Sequence, residues 1–417
     1  MTPSTSRARP GQQSDLRKDW LFAGGLAIVH ACLVKAVYRY VPDPYMDEIF
    51  HIPQTRRYCV GNWSWDPMIT TPPALYVLGM PFCGFERYTN SMLIAWTFIG
   101  FCRFRRTFHK DAVHSSALAA LLLPVLLHSS LLYYTDLLSV CAVVWGFSLD
   151  SPLFSSLLFG VSVLTRQTNV IWAGFSAAVR LIRDLDTSRT VSSVVQSLLK
   201  LSSFILLALS FAVFLLVNGG IVLGDASAHE PRLHLAQFLY FGLFAAVHAW
   251  PQAIPRFRVL LSKLVHPISA LLVIPVALSA QYFAVGHLYL LSDNRHVTFY
   301  LWRWWLGEPM RRMLLTPLFI ASFVCLCDLS THLSPLVRIL FALCSFAVVV
   351  PAPLIELRYF IVPYVLWRLS AKTSSKSLIV VAELLSQLTV FLAVFLLFLF
   401  KPFEWAHEQG VQQRFMW

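Results

Sequence analysis

Long apolar runs separated by short polar stretches recur along the whole chain. The first run covers residues 20–37, and a helix needs roughly 20 apolar residues to cross a bilayer. Further candidate spans lie at 74–85, 91–104, 115–127, 131–147, 153–164, 169–181, 199–217, 235–250, 268–285, 313–327, 337–350, 359–369 and 378–400. Several runs are short, as expected where membrane helices break around a polar cavity. The pattern predicts an all-α polytopic membrane protein with roughly 12 transmembrane helices, and at most about 14.

Composition agrees with a chain that lies largely in lipid. Hydrophobic residues make up 57% of its 417 residues, charged residues only 13%, and the mean hydropathy is +0.64. A soluble protein is about half apolar and about one quarter charged. Residues 1–19 are polar and basic, so we predict a cytosolic tail there. Residues 20–417 then form a single polytopic transmembrane domain.

The net charge of +12 is compatible with nucleic-acid binding, but the basic residues are not gathered into a soluble domain. They form short clusters between apolar runs, at 103–110, 180–189, 256–263 and 368–376. Cytosolic loops of membrane proteins hold such clusters. We therefore predict no nucleic-acid partner and place the remaining polar loops on the lumenal side.

The first lumenal loop is predicted over residues 38–73, and it holds two adjacent acids, Asp47 and Glu48. Two like charges this close raise the pKa of one of them, so one acid is expected to act as a general base and the other as a structural acceptor. An alternative is that the acids cap a short interfacial helix beginning near Glu48. Cys59 and Cys83 lie in or near this loop and can pair if the lumen is oxidising, although free thiols fit equally well.

Polar side chains at membrane depth are costly and therefore mark candidate functional sites. Those predicted to bind sugar or phosphate are His51, Gln54, Trp65, Arg166, Gln167, Asn169, Asp225, His229, Glu230, Asp293, Asn294, Arg295, His296 and Arg358. The cations can hold phosphate through charge-assisted hydrogen bonds or form salt bridges within and between loops. Trp65 can stack on a sugar or anchor the loop at the interface. No soluble-enzyme motif and no cytosolic domain for a nucleotide sugar are present, so a lipid-borne donor is favoured.

Six segments carry a family resemblance in chain order from Tyr45 to Trp417. They are "YMDEIFHIPQTRRYCVGNWSWDPMITTPPALY", "RQTNVIW", "GDASAHEPRLHLAQFLYF", "LLSDNRHVTFYLWR", "RYFIVPYVLWRL" and the terminal "QRFMW". Together they resemble the dolichyl-phosphate-glucose-dependent α-1,2-glucosyltransferases of the endoplasmic reticulum. Those enzymes add the last glucose to the lipid-linked oligosaccharide used in N-glycosylation.

The resemblance implies a GT-C glycosyltransferase fold with a catalytic acid in a long first lumenal loop. It makes Asp47 the expected general base, with Glu48 as the alternative base or a support. The implied donor is dolichyl phosphate β-glucose, the acceptor is the diglucosylated dolichyl-diphosphate-linked oligosaccharide, and the product is an inverted α-1,2 bond. A multi-pass location in the endoplasmic-reticulum membrane is implied, with the active site facing the lumen. Neither a metal nor another cofactor is expected.

Two other kinds of protein remain as alternatives. A related dolichyl-phosphate-mannose-dependent mannosyltransferase would have the same architecture and a different sugar. A non-catalytic transporter or channel regulator would also contain broken helices and buried charges. A transporter is expected to show repeated halves with matching interruptions, and the sequence shows none.

Overall fold

The computed structural model describes residues 10–184, 190–225 and 230–417, and most of them are helical. The first eight helices are α1 Pro10–Tyr40, α2 Glu48–Cys59, α3 Ala74–Gly79, α4 Tyr88–Phe108, α5 Val113–Leu121, α6 Pro124–Ser130, α7 Asp136–Ser148 and α8 Pro152–Val163. The next eight are α9 Val170–Asp184, α10 Thr190–Lys200, α11 Ser202–Asn218, α12 Ala236–His248, α13 Trp250–Ala253, α14 Phe257–Leu264, α15 Pro267–Leu271 and α16 Val273–Tyr282. The remaining elements are α17 Leu288–Ser292, α18 Val297–Leu301, α19 Pro309–Leu314, α20 Thr316–Leu329, α21 Pro335–Val349, α22 Ile361–Ser370, α23 Ser377–Phe400, and the strands β1 Phe403–Trp405 and β2 Glu408–Gln413.

Helix length and hydropathy are those of a membrane protein. Within the described ranges, two continuous helices are long and apolar enough to cross a bilayer, Asp15–Tyr40 and Ser377–Phe400. Three bent helix pairs also qualify when each pair is counted as one span, with bends of 66° to 69°. Prolines explain two of the bends, because Pro124 and Pro267 each follow a residue with extended ψ, Leu123 and His266, through which a helix cannot continue.

The central packing layer consists of α1, α4, α7 and α8, with α4 between α1 and α7. Glycines allow two pairs of these helices, α4 with α7 and α7 with α8, to approach closely, as small residues do in membrane bundles. A Cβ added to Gly100 of α4 would lie 2.9 Å from the ring of Trp145, and one added to Gly146 of α7 would lie 2.8 Å from Phe159. These two contacts pack α4 and α8 against adjacent positions of α7, Trp145 and Gly146.

Two boundaries differ from the sequence prediction. The first helix begins at Pro10, inside the segment predicted as a tail, and buried Asp19 accepts hydrogen bonds from Arg106 at 2.6 and 2.8 Å. The run 74–85 was predicted as a candidate span, but α3 ends at Gly79. A single 3₁₀ turn follows, with Pro81 near its start, and the left-handed Gly84 then reverses the chain.

The predicted first lumenal loop has internal structure. Helix α2 occupies residues 48–59, and a disulfide joins Cys59 at its end to Cys83 after α3. The bridge ties the two short helices together on one side of the bundle. The pairing that the sequence left open is therefore present in the structure.

The described chain is mostly helical, as predicted, and its C-terminal end departs locally from the all-α pattern. Strands β1 and β2 form an antiparallel hairpin with Phe403 opposite Gln413 and Trp405 opposite Glu408. The left-handed Gly410 lies within β2, and polar residues with little apolar surface follow the last membrane helix. A hairpin satisfies the backbone of such a segment without a buried helical face.

We predict that Gly100→Ala lowers the thermal unfolding temperature of the detergent-purified protein. The added methyl group must displace the Trp145 ring, and such overpacking typically costs about 1–3 kcal/mol. Gly174→Ala is the matched control, since a Cβ there meets nothing within 4 Å and alanine favours a helix. Equal unfolding temperatures for the two variants would contradict the close packing of α4 on α7.

Candidate active site

Glu48 forms a completely buried ion pair with Arg87, which precedes α4. Its Oε1 accepts hydrogen bonds from Nε of Arg87 at 2.8 Å and from the backbone N–H of Tyr133 at 2.6 Å. Its Oε2 accepts from a terminal nitrogen of Arg87 at 2.6 Å and from the N–H of Tyr45 at 3.1 Å. Arg87 also donates to the carbonyl of Val41 at 2.6 Å. Both oxygens of Glu48 are therefore occupied by structural donors.

Asp47 lies one residue earlier and faces a different environment. Its side chain is 38% exposed, and its Oδ2 lies 2.7 Å from a terminal nitrogen of Arg358. Helix α2 begins at Glu48, as the capping alternative predicted, but the Asp47 side chain makes no capping hydrogen bond. Successive residues at a helix start point about 100° apart, so the two adjacent acids enter different surroundings.

Arg358 connects Asp47 to a wider charge network. It pairs with Glu356, two residues earlier, and lies 3.7 Å from Oδ2 of Asp136 at the start of α7. The other oxygen of Asp136 lies 2.8 Å from Arg166. Three carboxylates and two guanidinium groups are thus brought together from four distant parts of the chain.

The charge network controls ionisation in the loop. Burial by itself would raise the pKa of Asp47, but the adjacent Arg358, with smaller effects of His51 and His296, lowers it to about 2. Burial lowers the pKa of His51 to about 4, although the Asp47 carboxylate opposes this shift. At neutral pH Asp47 is therefore an anion and His51 is neutral.

Three predicted binding residues of the first loop support its shape. His51 shares a hydrogen bond of 2.8 Å with the hydroxyl of Tyr76. Gln54 donates to the carbonyl of Ser64 at 2.9 Å, which folds the rest of the loop back over α2. Trp65 lies against Tyr76 with ring centroids 5.8 Å apart. His51 lies near Asp47, while Gln54 and Trp65 stabilise the conformation of the loop through contacts within it.

The segment 166–169 divides into residues with different surroundings. Arg166 pairs with the buried Asp136, which is the salt-bridge alternative that the sequence left open for the loop cations. Gln167 donates to the carbonyl of Thr70 at 2.9 Å and so joins the first loop. Asn169 is buried and donates to Ser139 at 2.8 Å within the helix bundle. Arg166 therefore belongs to the charge network, and Asn169 lies in the packing beneath it.

The segment 293–296 forms a compact polar turn. Arg295 donates two hydrogen bonds to Asp293, at 2.8 and 2.7 Å, and lies 4.7 Å from the ring centroid of Trp405. Asn294 accepts a hydrogen bond of 2.7 Å from the indole of Trp405. A ring nitrogen of His296 lies 3.6 Å from Asp293. The salt-bridge alternative for Arg295 is thus present, and His296 is near enough to Asp47 to affect its pKa.

Gly224, the first residue of the segment 224–230, lies against the first loop. A Cβ on the left-handed Gly224 would lie 2.4 and 2.5 Å from the carbonyl oxygens of Pro67 and Ile69, so only glycine permits this approach. Asp225 and Glu230 are both exposed. The third predicted residue of this segment, His229, lies outside the described residues.

The DIE2/ALG10 family profile matches residues 41–369, which include every part of the charge network. This chain belongs to the DIE2/ALG10 family. A protein of Mus musculus named Dol-P-Glc:Glc(2)Man(9)GlcNAc(2)-PP-Dol alpha-1,2-glucosyltransferase is 32% identical over 94% of this chain and 96% of its own length. Proteins of the same name from Arabidopsis thaliana and Drosophila melanogaster are each 31% identical over 90% of this chain, covering 95% and 94% of their own lengths. No solved structure gives a significant match.

Sequence reasoning did not single out two members of the site in this DIE2/ALG10 chain, Asp136 and Tyr134. Asp136 is the last residue of "HSSLLYYTD", which is one of the polar loops predicted on the lumenal side, and the sequence did not single out its acid. Glu356 stands two residues before Arg358, and Tyr134 lies under the Arg358 guanidinium, 4.8 Å from ring centroid to Cζ. The sequence offered Glu356 as the partner of an internal salt bridge with Arg358, which the structure contains, whereas nothing in the local sequence distinguished Tyr134.

We predict that Glu48→Gln destabilises the protein by about 3 kcal/mol or more, because it leaves the charge of Arg87 buried and unpaired. The measurement is thermal or denaturant unfolding of the purified protein. Glu308→Gln serves as the control, since Glu308 pairs with Arg311 at an exposed site, where an ion pair contributes less than about 1 kcal/mol. Similar losses for both variants would contradict a structural role specific to Glu48.

Proposed function

We propose that this protein transfers glucose from dolichyl phosphate β-glucose to the diglucosylated dolichyl-diphosphate-linked oligosaccharide. The product is the terminal α-1,2-linked glucose of the N-glycosylation precursor. The name of its relatives in Mus musculus, Arabidopsis thaliana and Drosophila melanogaster supports this donor, acceptor and linkage. The observation that carries the assignment to a site is the partly exposed Asp47 carboxylate, held beside Arg358.

In the proposed reaction Asp47 acts as the general base. It removes the proton from the acceptor hydroxyl as that oxygen attacks the anomeric carbon of the donor glucose. A new carbon–oxygen bond forms on the face opposite the bond to phosphate, which breaks with its electron pair and releases dolichyl phosphate. One base and a single displacement invert a β-linked donor to an α-linked product, whereas retention would need a second carboxylate as nucleophile.

The surroundings of Glu48 support Asp47 over Glu48 as the base. Every oxygen of Glu48 is occupied by Arg87 or by backbone donors, and the side chain has no exposed surface. Taking up a proton there would break a buried ion pair. Glu48 is therefore the support in this proposal, and it holds the start of α2 so that Asp47 projects outward.

Arg358 is the cation that we place on the leaving phosphate. Its guanidinium already carries two close carboxylates, Asp47 and Glu356. A donor phosphate would compete with Asp47 for this group through charge-assisted hydrogen bonds. Loss of the Arg358 contact would raise the pKa of Asp47, making it a stronger base at the moment that the donor is bound. Arg295 and His296 are further candidates for phosphate or sugar contacts from the 293–296 turn.

The membrane arrangement that we propose is a GT-C fold with roughly 12 crossings in the endoplasmic-reticulum membrane. The site would face the lumen, because the loop that carries Asp47 also carries the Cys59–Cys83 disulfide, and disulfides persist in oxidising compartments. The partners are the two dolichol-linked substrates and the surrounding lipid, with no nucleic acid.

Asp47→Asn should lower kcat by about a hundredfold or more, the usual contribution of a general base. The assay uses purified protein in liposomes with dolichyl phosphate glucose and the diglucosylated acceptor. Cells with only this variant should accumulate the diglucosylated lipid-linked oligosaccharide. Asp66→Asn is the control, because Asp66 lies in the same loop and pairs with Arg57 at 3.5 Å. Full activity of Asp47→Asn, or transfer from dolichyl phosphate mannose instead of glucose, would refute the assignment.

The pH dependence of kcat/KM should report the charge of Arg358. In the wild type, Asp47 stays ionised down to about pH 2, so its protonation should produce no acid limb at mildly acidic pH. Arg358→Gln removes the neighbouring positive charge, so the pKa of Asp47 should rise. The residual kcat/KM of this variant should then begin to fall at a higher pH than that of the wild type as the solution is acidified. Unchanged profiles would contradict the coupling of these two residues.

The proposed reaction involves no metal, because Arg358, once the phosphate has displaced Asp47 from it, meets the negative charge of the leaving group. Prolonged dialysis against EDTA should therefore leave kcat unchanged. A loss of activity that Mg²⁺ or Mn²⁺ restores would show that a metal takes part. Among the described residues, one trio, Asp19, Cys102 and His114, is close enough to share an ion. Asp19 is already paired with Arg106 there.

A further inference from the structure

The last residues of the chain, 413–417, lie against the candidate active site, and we call them the C-terminal strap. The strap meets the first loop at Tyr45, two residues before Asp47. The Tyr45 hydroxyl donates to the backbone carbonyl of Arg414 at 2.9 Å and accepts from the N–H of the same residue at 2.8 Å. One hydroxyl therefore satisfies both backbone groups of Arg414.

The Arg414 side chain anchors the strap to the ends of two long helices. It donates to the carbonyl groups of Phe398 and Leu399 in α23, at 2.8 and 2.9 Å, and to that of Tyr40 in α1 at 2.9 Å. The last carbonyls of a helix lack partners within the helix and carry partial negative charge. A buried guanidinium satisfies them and holds the strap in place.

The other end of the strap pairs with the 293–296 turn. The N–H of Met416 donates to the carbonyl of Arg295 at 2.8 Å, and the N–H of Val297 donates to the carbonyl of Met416 at 3.1 Å. His296 lies opposite Met416 in a parallel bridge, and its Nδ1 is 2.6 Å from the carbonyl oxygen of Trp417. Met416 itself is 2% exposed.

We propose that the C-terminal strap positions the general base relative to the 293–296 turn, with Tyr45 and Arg414 as positioning residues. This inference rests on the proposed function, since it assigns a role at the same site. Tyr45 is held by the strap through its hydroxyl and by Glu48 through its N–H. Asp47 therefore lies in the chain between Tyr45, which the strap holds, and Glu48, which Arg87 holds. Geometry of this kind matters because a displacement of about 1 Å can cost roughly a hundredfold in rate.

Tyr45→Phe is the decisive variant, because it removes only the hydroxyl and keeps the ring against Phe398. We expect kcat to fall about tenfold, a smaller loss than for a group that exchanges the proton itself. The KM values for donor and acceptor should change by less than about twofold, since an orienting contact made in the transition state affects kcat. Val411→Ala is the control, since Val411 lies in β2, just before the strap, and is exposed.

A second variant tests whether the two residues act together. Arg414→Ala should also lower kcat, and the double variant with Tyr45→Phe should lose little more than the larger single loss, because both changes detach Tyr45 from an anchored strap. All rates are normalised to folded protein measured by thermal unfolding. If Arg414→Ala does not fold, Tyr45→Phe decides the question.

Asp47→Asn is measured in parallel to separate the two proposals. Wild-type kcat in Tyr45→Phe together with an inactive Asp47→Asn would overturn the role of the strap and leave the proposed function standing. A Tyr45→Phe variant that yields less folded protein at normal kcat, or changes only KM, would also overturn it. Full activity of Asp47→Asn would overturn the proposed function, and with it the strap's role in positioning a base.

Discussion

The buried ion pair between Glu48 and Arg87 is the constraint on which the geometry of the site depends. Neither side chain has exposed surface, and the pair also binds the backbone at Tyr45, Val41 and Tyr133. Such a pair contributes little net stability compared with an apolar replacement, but breaking it leaves an uncompensated charge. Its main effect here is to specify one conformation for the turn that leads into α2.

That conformation separates two acids that are adjacent in sequence. Glu48 points into the protein and meets Arg87, while Asp47 points to a partly open space and meets Arg358. Met46, immediately before them, adopts a positive φ of 54°, which only a well-determined environment tolerates in a non-glycine residue. The surrounding ion pair and the strap contact at Tyr45 together supply that environment.

The charge network around Arg358 has more carboxylates than guanidinium groups. Asp47, Glu356 and Asp136 face Arg358 and Arg166, so a bound phosphate would add negative charge to a group that already has an excess. A lipid phosphate is therefore favoured only if it displaces a carboxylate or draws on Arg295 and His296 nearby. This excess of negative charge gives a physical reason why the donor phosphate would bind Arg358 only as Asp47 leaves it.

Local sequence determined a large part of this protein. The apolar runs specify membrane helices because the bilayer admits few other structures, and the polar loops marked Asp47, Arg166 and Arg358 because charges near lipid require partners. The family-specific segments led to the DIE2/ALG10 family. By contrast, residues 74–85 resembled a membrane span because their composition is apolar. In the structure the chain turns at Gly84, and the disulfide from Cys83 to Cys59 holds the segment beside α2.

Which acid faces the open side, and which cation it meets, was decided by the tertiary structure. Asp47 and Glu48 have the same local sequence, and their different roles arise from Arg87 and Arg358, which lie 39 and 311 residues away from their respective partners. The pairing of Tyr45 with Arg414 spans 369 residues. Periodicity and composition show whether a segment prefers lipid, water or the protein interior. An ion pair requires two distant segments to meet at hydrogen-bond distance, and only the packing of the helices brings them together.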